Sequence, residues 1–175
     1  MHIETERLIL RDFVYEDWKQ VHEYASKEEV TQYTIWGPNT EEDTKRYVEE
    51  QICKQQAEVR TDYEFAVVLR DTNLLIGGCG IYVADHNAEV GYSFNPDYWG
   101  KGYATEAAHA ILKLGFETFH VHRIYATCRP GNSPSANVMK RLGMKQEGHL
   151  REHLWFKGRF HDSYLFSILK NEFGS

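Results

Sequence analysis

The most informative part of the chain is Phe94-Asn95-Pro96-Asp97-Tyr98-Trp99-Gly100-Lys101-Gly102-Tyr103-Ala104-Thr105-Glu106, where a strand pattern ends and a helix pattern begins. Glycine adopts backbone conformations that are closed to other residues and lets a ligand approach the main chain closely. The first amides of a helix lack internal partners and carry the positive end of its dipole, so this turn suits a phosphate. The alternative is a tight strand-to-helix turn that binds no ligand.

On both sides of this turn, the hydrophobic patterning predicts seven strands and four helices. The strands are predicted at 3–13, 63–70, 75–83, 88–95, 123–129, 144–156 and 163–169, and the helices at 17–25, 40–59, 103–119 and 135–142. Short turns predict that the strands from 63 to 95 are antiparallel neighbours. A helix separates strand 88–95 from strand 123–129, which predicts that these two are parallel. The order indicates an α/β or α+β fold, a mixed sheet with helices on both faces.

Length and composition limit the classes of protein to consider. The chain has 175 residues with 42% hydrophobic side chains, which predicts one domain over 1–175. No apolar run is long enough for a membrane span, and the first residues do not have the pattern of a signal peptide. The cysteines Cys53, Cys79 and Cys128 fit neither a metal site nor a disulfide framework, so we expect reduced thiols and a cytoplasmic location.

Charge is unevenly distributed along the chain. The net charge of −6 argues against a nucleic-acid partner. Residues 1–65 carry 16 acidic and 8 basic side chains, whereas the remainder is slightly basic. This asymmetry fits either ordinary surface charge or an acidic part that meets a cationic substrate. His120 and His122 have no further ligands at metal-binding spacing, so we predict no metal site.

Four segments in order resemble the GNAT N-acetyltransferase superfamily, and most closely its RimJ/RimL branch of ribosomal-protein N-terminal acetyltransferases. Glu89-Val90-Gly91-Tyr92 followed by the turn 98–107 is similar to its coenzyme A-binding motif. The other segments are Asn132-Ser133-Pro134-Ser135-Ala136-Asn137-Val138 leading to Lys140-Arg141-Leu142-Gly143-Met144, then Glu147-Gly148-His149-Leu150-Arg151, and the opening Glu4-Thr5-Glu6-Arg7-Leu8-Ile9-Leu10-Arg11.

The resemblance implies a GNAT fold, with a mostly antiparallel seven-stranded sheet whose central parallel pair splays apart. It implies acetyl-CoA as cosubstrate, no metal, and direct attack of a primary amine on the thioester within a ternary complex. The acceptor would be a ribosomal or other protein N-terminus. The alternatives are an enzyme acting on antibiotics or polyamines and a non-catalytic acyl-CoA-binding module. A membrane partner is not implied, and a homodimer is one state common among relatives.

The resemblance also implies which residues hold the cofactor. The pantetheine arm would pair with the strand, the pyrophosphate would lie on the turn, and the later helix and its start would supply a serine near the cofactor sulfur and two asparagines that contact the cofactor or position the substrate. These residues are Tyr92, Ser93 and Phe94, then Trp99, Gly100, Lys101, Gly102, Tyr103, Ala104 and Thr105, and finally Asn132, Ser135 and Asn137. Trp99 stands where the superfamily usually has Gln or Arg, which leaves the phosphate to backbone amides. Lys101 either adds charge there or is a solvated lysine.

Proton transfer is assigned less directly. Glu89 is the first candidate for the base, and its alternative is a structural carboxylate that pairs with the neighbouring strand. The glutamate base of this branch would fall at Leu154, and strand alternation would place Glu152 and His153 on opposite faces. The resemblance implies that Ser135 protonates the leaving thiolate, whereas a helix cap is its competing role. It also places Tyr33, Thr34 and Trp36 in the substrate wall, with core packing as the alternative for one of the two aromatic residues.

Overall fold

The computed structural model of the protein describes residues 1–174, and its strands form one sheet of eight. Ser175, the last residue of the predicted domain, lies outside the described residues. The strands are β1 (His2–Glu4), β2 (Leu8–Arg11), β3 (Asp62–Leu69), β4 (Leu75–Ala84), β5 (Asn87–Phe94), β6 (Arg123–Cys128), β7 (Lys145–Phe156) and β8 (Arg159–Leu169). Their order across the sheet is β1-β2-β3-β4-β5-β6-β8-β7.

The sheet has one strand more than the predicted seven because the first predicted strand, 3–13, is a hairpin. Its two strands, β1 and β2, pair antiparallel, and the turn between them is closed by the Thr5 amide, which donates to the Leu8 carbonyl at 2.9 Å. The turn contains neither Gly nor Pro, so the local sequence carries no turn signal there. The mixed α/β class is as predicted.

Within the described part of the chain, residues 1–174, five α-helices cover the two faces of the sheet. They are α1 (Trp18–Ala25), α2 (Glu28–Thr31), α3 (Glu41–Gln55), α4 (Tyr103–Lys113) and α5 (Ser133–Arg141). Helices α1 and α3 pack on β4 and β3, while α4 and α5 pack on the opposite face. Strand β3 serves both faces, because Phe65 and Val67 belong to the core under α4, whereas Ala66 and Val68 belong to the core under α1 and α3.

Two predicted helices end several residues earlier than predicted. Helix α3 begins at the predicted capping box, in which Thr40 accepts from the Asp43 amide, but it ends at Gln55 rather than at 59. The helix predicted over 103–119 is α-helical only to Lys113 and continues as a π-helical turn over Leu114–Thr118. Periodicity specifies the buried face of a helix well, but its last turn depends on tertiary packing.

The parallel pair β5 and β6 is confirmed, and it separates along its length. Only three residue pairs join the two strands, Asn87 with Arg123, Ala88 with Ile124, and Glu89 with Tyr125. Beyond Glu89, β5 continues to Phe94 while paired only with β4. The predicted splay therefore leaves the backbone of residues 90–94 with one free edge that faces the gap.

Among residues 1–174, no helix has the length and apolar character that a membrane span requires. The same residues contain no cluster of three or more His, Cys, Asp or Glu side chains arranged to hold a metal ion.

Candidate active site

The turn between β5 and α4 presents backbone rather than side chains. Gly100 and Gly102 have φ angles of 74° and 82°, a left-handed conformation that favours glycine. Gly102 is the N-cap of α4, and within residues 1–174 no side chain caps this helix end. The first amides of α4 are therefore directed at the space in front of the turn, as an anion-binding helix end requires.

The side chains of Trp99 and Lys101 brace this turn. Trp99 donates from Nε1 to the Phe94 carbonyl at 2.8 Å, although 47% of the residue is exposed. Lys101 donates from Nζ to the Asp97 carbonyl at 3.0 Å, and its ammonium lies over the Tyr98 ring. In this arrangement the side chain of Lys101 remains exposed while its ammonium contacts the backbone of the loop.

Arg7, which lies near the N-terminus of the chain, holds the turn in place. The sequence alone did not indicate a separate role for this residue. Arg7 donates from Nη1 to the Lys101 carbonyl at 2.9 Å, and from Nε to Glu106 in α4 at 2.7 Å. Thr5 also donates to Glu106, at 2.6 Å. Burial raises the pKa of Glu106, but hydrogen bonds from Thr5 and Arg7 outweigh it and leave the pKa below its ordinary value. This explains why the 4–11 segment accompanies the glycine turn.

Tyr92 and Ser135 meet beside the gap between β5 and β6. Their hydroxyl groups lie 3.0 Å apart, and Tyr92 also donates to the Ser135 carbonyl at 3.2 Å. The competing role of Ser135 as a helix cap is wrong, because Asn132 is the N-cap of α5 and accepts from the Ser135 amide at 3.3 Å. The Ser135 hydroxyl is thus available for another task, and Asn137 is exposed on the same helix.

Glu89 lies where the gap begins. It occupies the last paired position of β5 with β6, and its carboxylate accepts a hydrogen bond from the Tyr125 hydroxyl at 3.4 Å. Burial first, and then this carboxylate, raise the pKa of Tyr125. Glu89 therefore contacts the neighbouring strand, as expected for a structural carboxylate.

On the α1 and α3 face, a cavity of about 700 Å³ reaches the same part of β5. Its lining includes Gly91, Tyr92 and Ser93 of β5. Thr34 and Trp36 line this cavity, whereas Tyr33 donates from its hydroxyl to the Gly131 carbonyl at 2.9 Å; the assignment of these residues to a substrate wall stays a prediction. The gap and the cavity thus give access to one stretch of backbone from two directions.

The cavity contains a carboxyl group that sequence reasoning missed, that of Glu64 on β3. Burial first, and then the Asp62 carboxylate, raise the pKa of Glu64 to about 8, although a hydrogen bond from Tyr47 opposes this. A signal was present in the sequence. Glu64 interrupts the apolar run of its strand and pairs with Gly80, whose neighbour two residues earlier is Gly78.

The region around Leu154 does not follow strict strand alternation. The pairing of β7 with β8 shifts register between Leu150 and Leu154, and Glu152 has a φ of 49°. The prediction that Glu152 and His153 lie on opposite faces assumed strict strand alternation, and this assumption is wrong here. His153 pairs through Nδ1 with the Ser163 hydroxyl at 2.7 Å, and the Glu152 amide donates to Asp162 at 2.8 Å.

Comparison with known proteins agrees with this geometry. Residues 7–145 match the model of the acetyltransferase (GNAT) domain. The chain is 43% identical to the uncharacterised N-acetyltransferase YnaD of Bacillus subtilis, over 98% of this chain and 99% of that protein. It is also 34% identical to the ribosomal protein uS5-alanine N-acetyltransferase of Escherichia coli, over 47% of this chain and 43% of that protein.

A solved structure covers the whole fold. The GNAT-family acetyltransferase from Bacillus anthracis superposes with a TM-score of 0.88 and is 40% identical, over 98% of this chain and 100% of that chain. The backbone turn, the splayed strand pair and these matches lead to one assignment: the chain belongs to the GNAT family of N-acetyltransferases, with RimJ/RimL-like proteins among its homologues.

Proposed function

We propose that this acetyltransferase transfers the acetyl group of acetyl-CoA to a primary amine by direct attack in a ternary complex. The observation that carries the proposal is the gap between β5 and β6, whose three residue pairs end at Glu89. The free edge of β5 leads into the glycine turn, and the cavity opens onto the same residues from the other face of the sheet.

Acetyl-CoA fits the α4 side of this arrangement. Its pyrophosphate would accept hydrogen bonds from the amides of residues 100–105, at the uncapped end of α4. Its pantetheine arm would lie in the gap and pair with residues 92–94, as an added strand does. Asn132 and Asn137 would contact the cofactor from α5, and this set of cofactor residues stays a prediction.

A backbone amide and side-chain hydroxyl groups would assist the acyl transfer. A β5 amide would hold the thioester oxygen while negative charge develops on it. A bond forms between the amine nitrogen and the carbonyl carbon, and the carbon–sulfur bond then breaks. Ser135 would give the leaving thiolate a proton, and Tyr92, whose hydroxyl lies 3.0 Å away, would pass a proton to the serine oxygen and take one from water. The nitrogen releases its second proton to water as the amide forms, which balances the proton gained by the thiolate. Glu89 as the base stays a prediction.

The acceptor enters through the cavity on the α1 and α3 face. Its acidic and basic lining consists of three carboxyl groups, those of Asp43, Glu50 and Glu64, and the guanidinium of Arg46. An excess of acidic groups suits an amine that arrives as an ammonium ion. The proposed acceptor is a protein N-terminus, and small-molecule amines such as polyamines or antibiotics are the alternative.

The test is thiol release from acetyl-CoA with four amines: an alanine-initiated hexapeptide, a serine-initiated hexapeptide, spermidine and kanamycin. Mass spectrometry of each product would show a single added acetyl group on nitrogen. We expect turnover with at least one hexapeptide. Acetylation of spermidine or kanamycin alone would favour the small-molecule alternative. Tight binding of coenzyme A without turnover on any of the four amines would contradict the proposed function.

A further inference from the structure

We infer that Glu64 binds the ammonium group of the acceptor in the cavity and accepts its proton before attack. This inference rests on the proposed function and names the group that the proposed mechanism lacks. It depends on where the carboxyl group lies, on what surrounds it, and on how it compares with Glu89.

Register places Glu64 in line with the acyl site. Glu64 of β3 pairs with Gly80 of β4, which pairs with Gly91 of β5, so the three positions form one row across the sheet. A Cβ at Gly80 would overlap Oε2 of Glu64, and a Cβ at Gly78 would lie 3.2 Å from Oε1. The carboxyl group therefore lies over β4, the strand between β3 and β5. The glycines provide the space it occupies.

The distance from the Glu64 carboxyl group to β5 is short. Neighbouring strands are about 4.8 Å apart, so a carboxyl group above Gly80 is about one strand spacing from the backbone of Gly91. An ideal Cβ at Gly91 would meet no atom within 4 Å, so the space above β5 is open at this point. An amine placed there would contact Glu64 directly, or through one water molecule, while facing the gap that holds the thioester.

The cations around Glu64 are already paired elsewhere. Lys54 donates to Asp62 at 2.7 Å, and Arg46 lies 3.7 Å from Asp43. Within residues 1–174, no salt bridge includes Glu64, so an ammonium group from the acceptor would supply the missing partner. The groups that influence or face it are Tyr24 of α1, Tyr47 and Lys54 of α3, Asp62 of β3 and Cys79 of β4, with Asp43, Arg46 and Glu50 on the cavity wall.

Its protonation properties suit the task. A base with a pKa of about 8 can take a proton from an ammonium group of similar pKa without a large energetic penalty. In the proposed step, one N–H bond of the ammonium breaks and its proton moves to Glu64, which leaves a lone pair on the nitrogen. The neutral amine then attacks, and Glu64 returns the proton to water through the mouth of the cavity.

Glu89 is less well placed for the same step. It lies at the closed end of the gap, where β5 and β6 are still paired, and its carboxylate is engaged by Tyr125. Glu64 lies level with Gly91, beyond the last pair of these strands. The geometry thus favours Glu64 over the base predicted from sequence.

The experiment compares Glu64→Gln with Glu89→Gln and with Glu58→Gln, a control at an exposed position after α3. Each variant is assayed with acetyl-CoA and whichever of the four amines the wild type acetylates. We expect E64Q to lower kcat/KM by about 100-fold or more, and E58Q to change it by less than about twofold. In calorimetric titrations, E64Q should bind coenzyme A with the same affinity as the wild type, which would verify that the variant is folded.

The dependence of kcat/KM on pH separates a proton acceptor from a structural residue. The wild type should show a limb that rises with pH near about 8 and is absent from E64Q, whereas any limb from the amine is common to both. Tyr47→Phe removes a hydrogen bond that lowers the pKa of Glu64, so the limb should move to higher pH. Asp62→Asn removes a charge that raises this pKa, so the limb should move to lower pH.

Each outcome is informative. If E64Q retains wild-type kcat/KM, or if E89Q alone abolishes the limb, the inference is overturned while the proposed function stands. If E64Q fails to fold, unmoved limbs in Y47F and D62N overturn it, and opposite shifts support it. If the wild type acetylates none of the four amines, the proposed function fails and the inference fails with it.

Discussion

Replacement of Gly102 by glutamate tests whether the turn before α4 holds the cofactor's pyrophosphate. Gly102 has a φ of 82°, so any L-residue there is strained, at a cost of about 1–2 kcal/mol in folding free energy. A Cβ at this position would lie 3.4 Å from Nη2 of Arg7, so steric overlap is small. Gly102→Ala carries the same strain without the charge and is the matched control.

The charge determines the effect on binding. A carboxylate roughly 5 Å from a phosphate, at an effective dielectric constant of about 20, is repelled by about 3 kcal/mol. This energy corresponds to a loss of roughly 100-fold in affinity for coenzyme A. The new carboxylate would also occupy the positive end of α4, near Arg7, as an internal substitute for the phosphate. G102E should therefore recover part of the stability that G102A loses, while binding far less cofactor.

Calorimetric titration with coenzyme A, together with thermal unfolding of each free protein, measures both effects. We expect G102A to bind within about tenfold of the wild type and G102E at least about 100-fold more weakly. Equal affinities of G102E and the wild type would refute the assignment of the pyrophosphate to this turn. Equal losses in G102A and G102E would show that backbone strain, rather than charge, limits binding.

The other predictions concern Ser135, Glu106 and Glu64. Ser135→Ala should lower kcat more than it lowers the affinity for coenzyme A, and it should leave the melting temperature nearly unchanged. Asn132→Ala should lower the free energy of unfolding by about 1 kcal/mol because it removes the α5 cap. A stability loss in Ser135→Ala but not in Asn132→Ala would instead indicate that Ser135 caps the helix. The pKa of Glu106 is lowered in the folded protein, so its contribution to stability is present above its ordinary pKa of 4.5 and is lost as the pH falls through the lower folded value. Acid unfolding of Glu106→Gln should accordingly be less steep than that of the wild type, and identical acid transitions would argue against this contribution. The pKa of Glu64 is raised in the folded protein, so its contribution to stability is present below its ordinary pKa of 4.5 and is lost as the pH rises to about 8. In denaturant titrations, the stability of E64Q relative to the wild type should therefore increase between these two pH values.

Local patterns were sufficient for much of the architecture. The alternation in β3 to β5, the short turns between them and the helix before β6 predicted the direction of each pairing. The hairpin of β1 and β2 was missed because its turn is held by Glu106, which is about a hundred residues away along the chain. Likewise, the register shift in β7 was missed because Glu152, which adopts a left-handed backbone there, is not a glycine, so strict alternation could not be assumed.

The candidate site divides in the same way. Gly100 and Gly102 could be identified from spacing alone, because a left-handed backbone before a helix requires particular residues. Ser135 and Tyr92 could be selected from the resemblance, but their 3.0 Å contact depends on how α5 packs beside β5. The role of Asn132 as the cap was not separable in sequence from that of Ser135, since both residue types suit a helix start.

From the amino-acid sequence alone, periodicity predicted the mixed sheet and residue type predicted the glycine turn, because both act over a few neighbouring positions, and the resemblance indicated the family. The carboxyl group in the cavity depended on the tertiary structure. Glu64, Gly80 and Gly91 come from three strands and are aligned only by register, so no local pattern relates them. Its raised pKa has the same origin, because burial is a property of the assembled layers of the fold rather than of any segment.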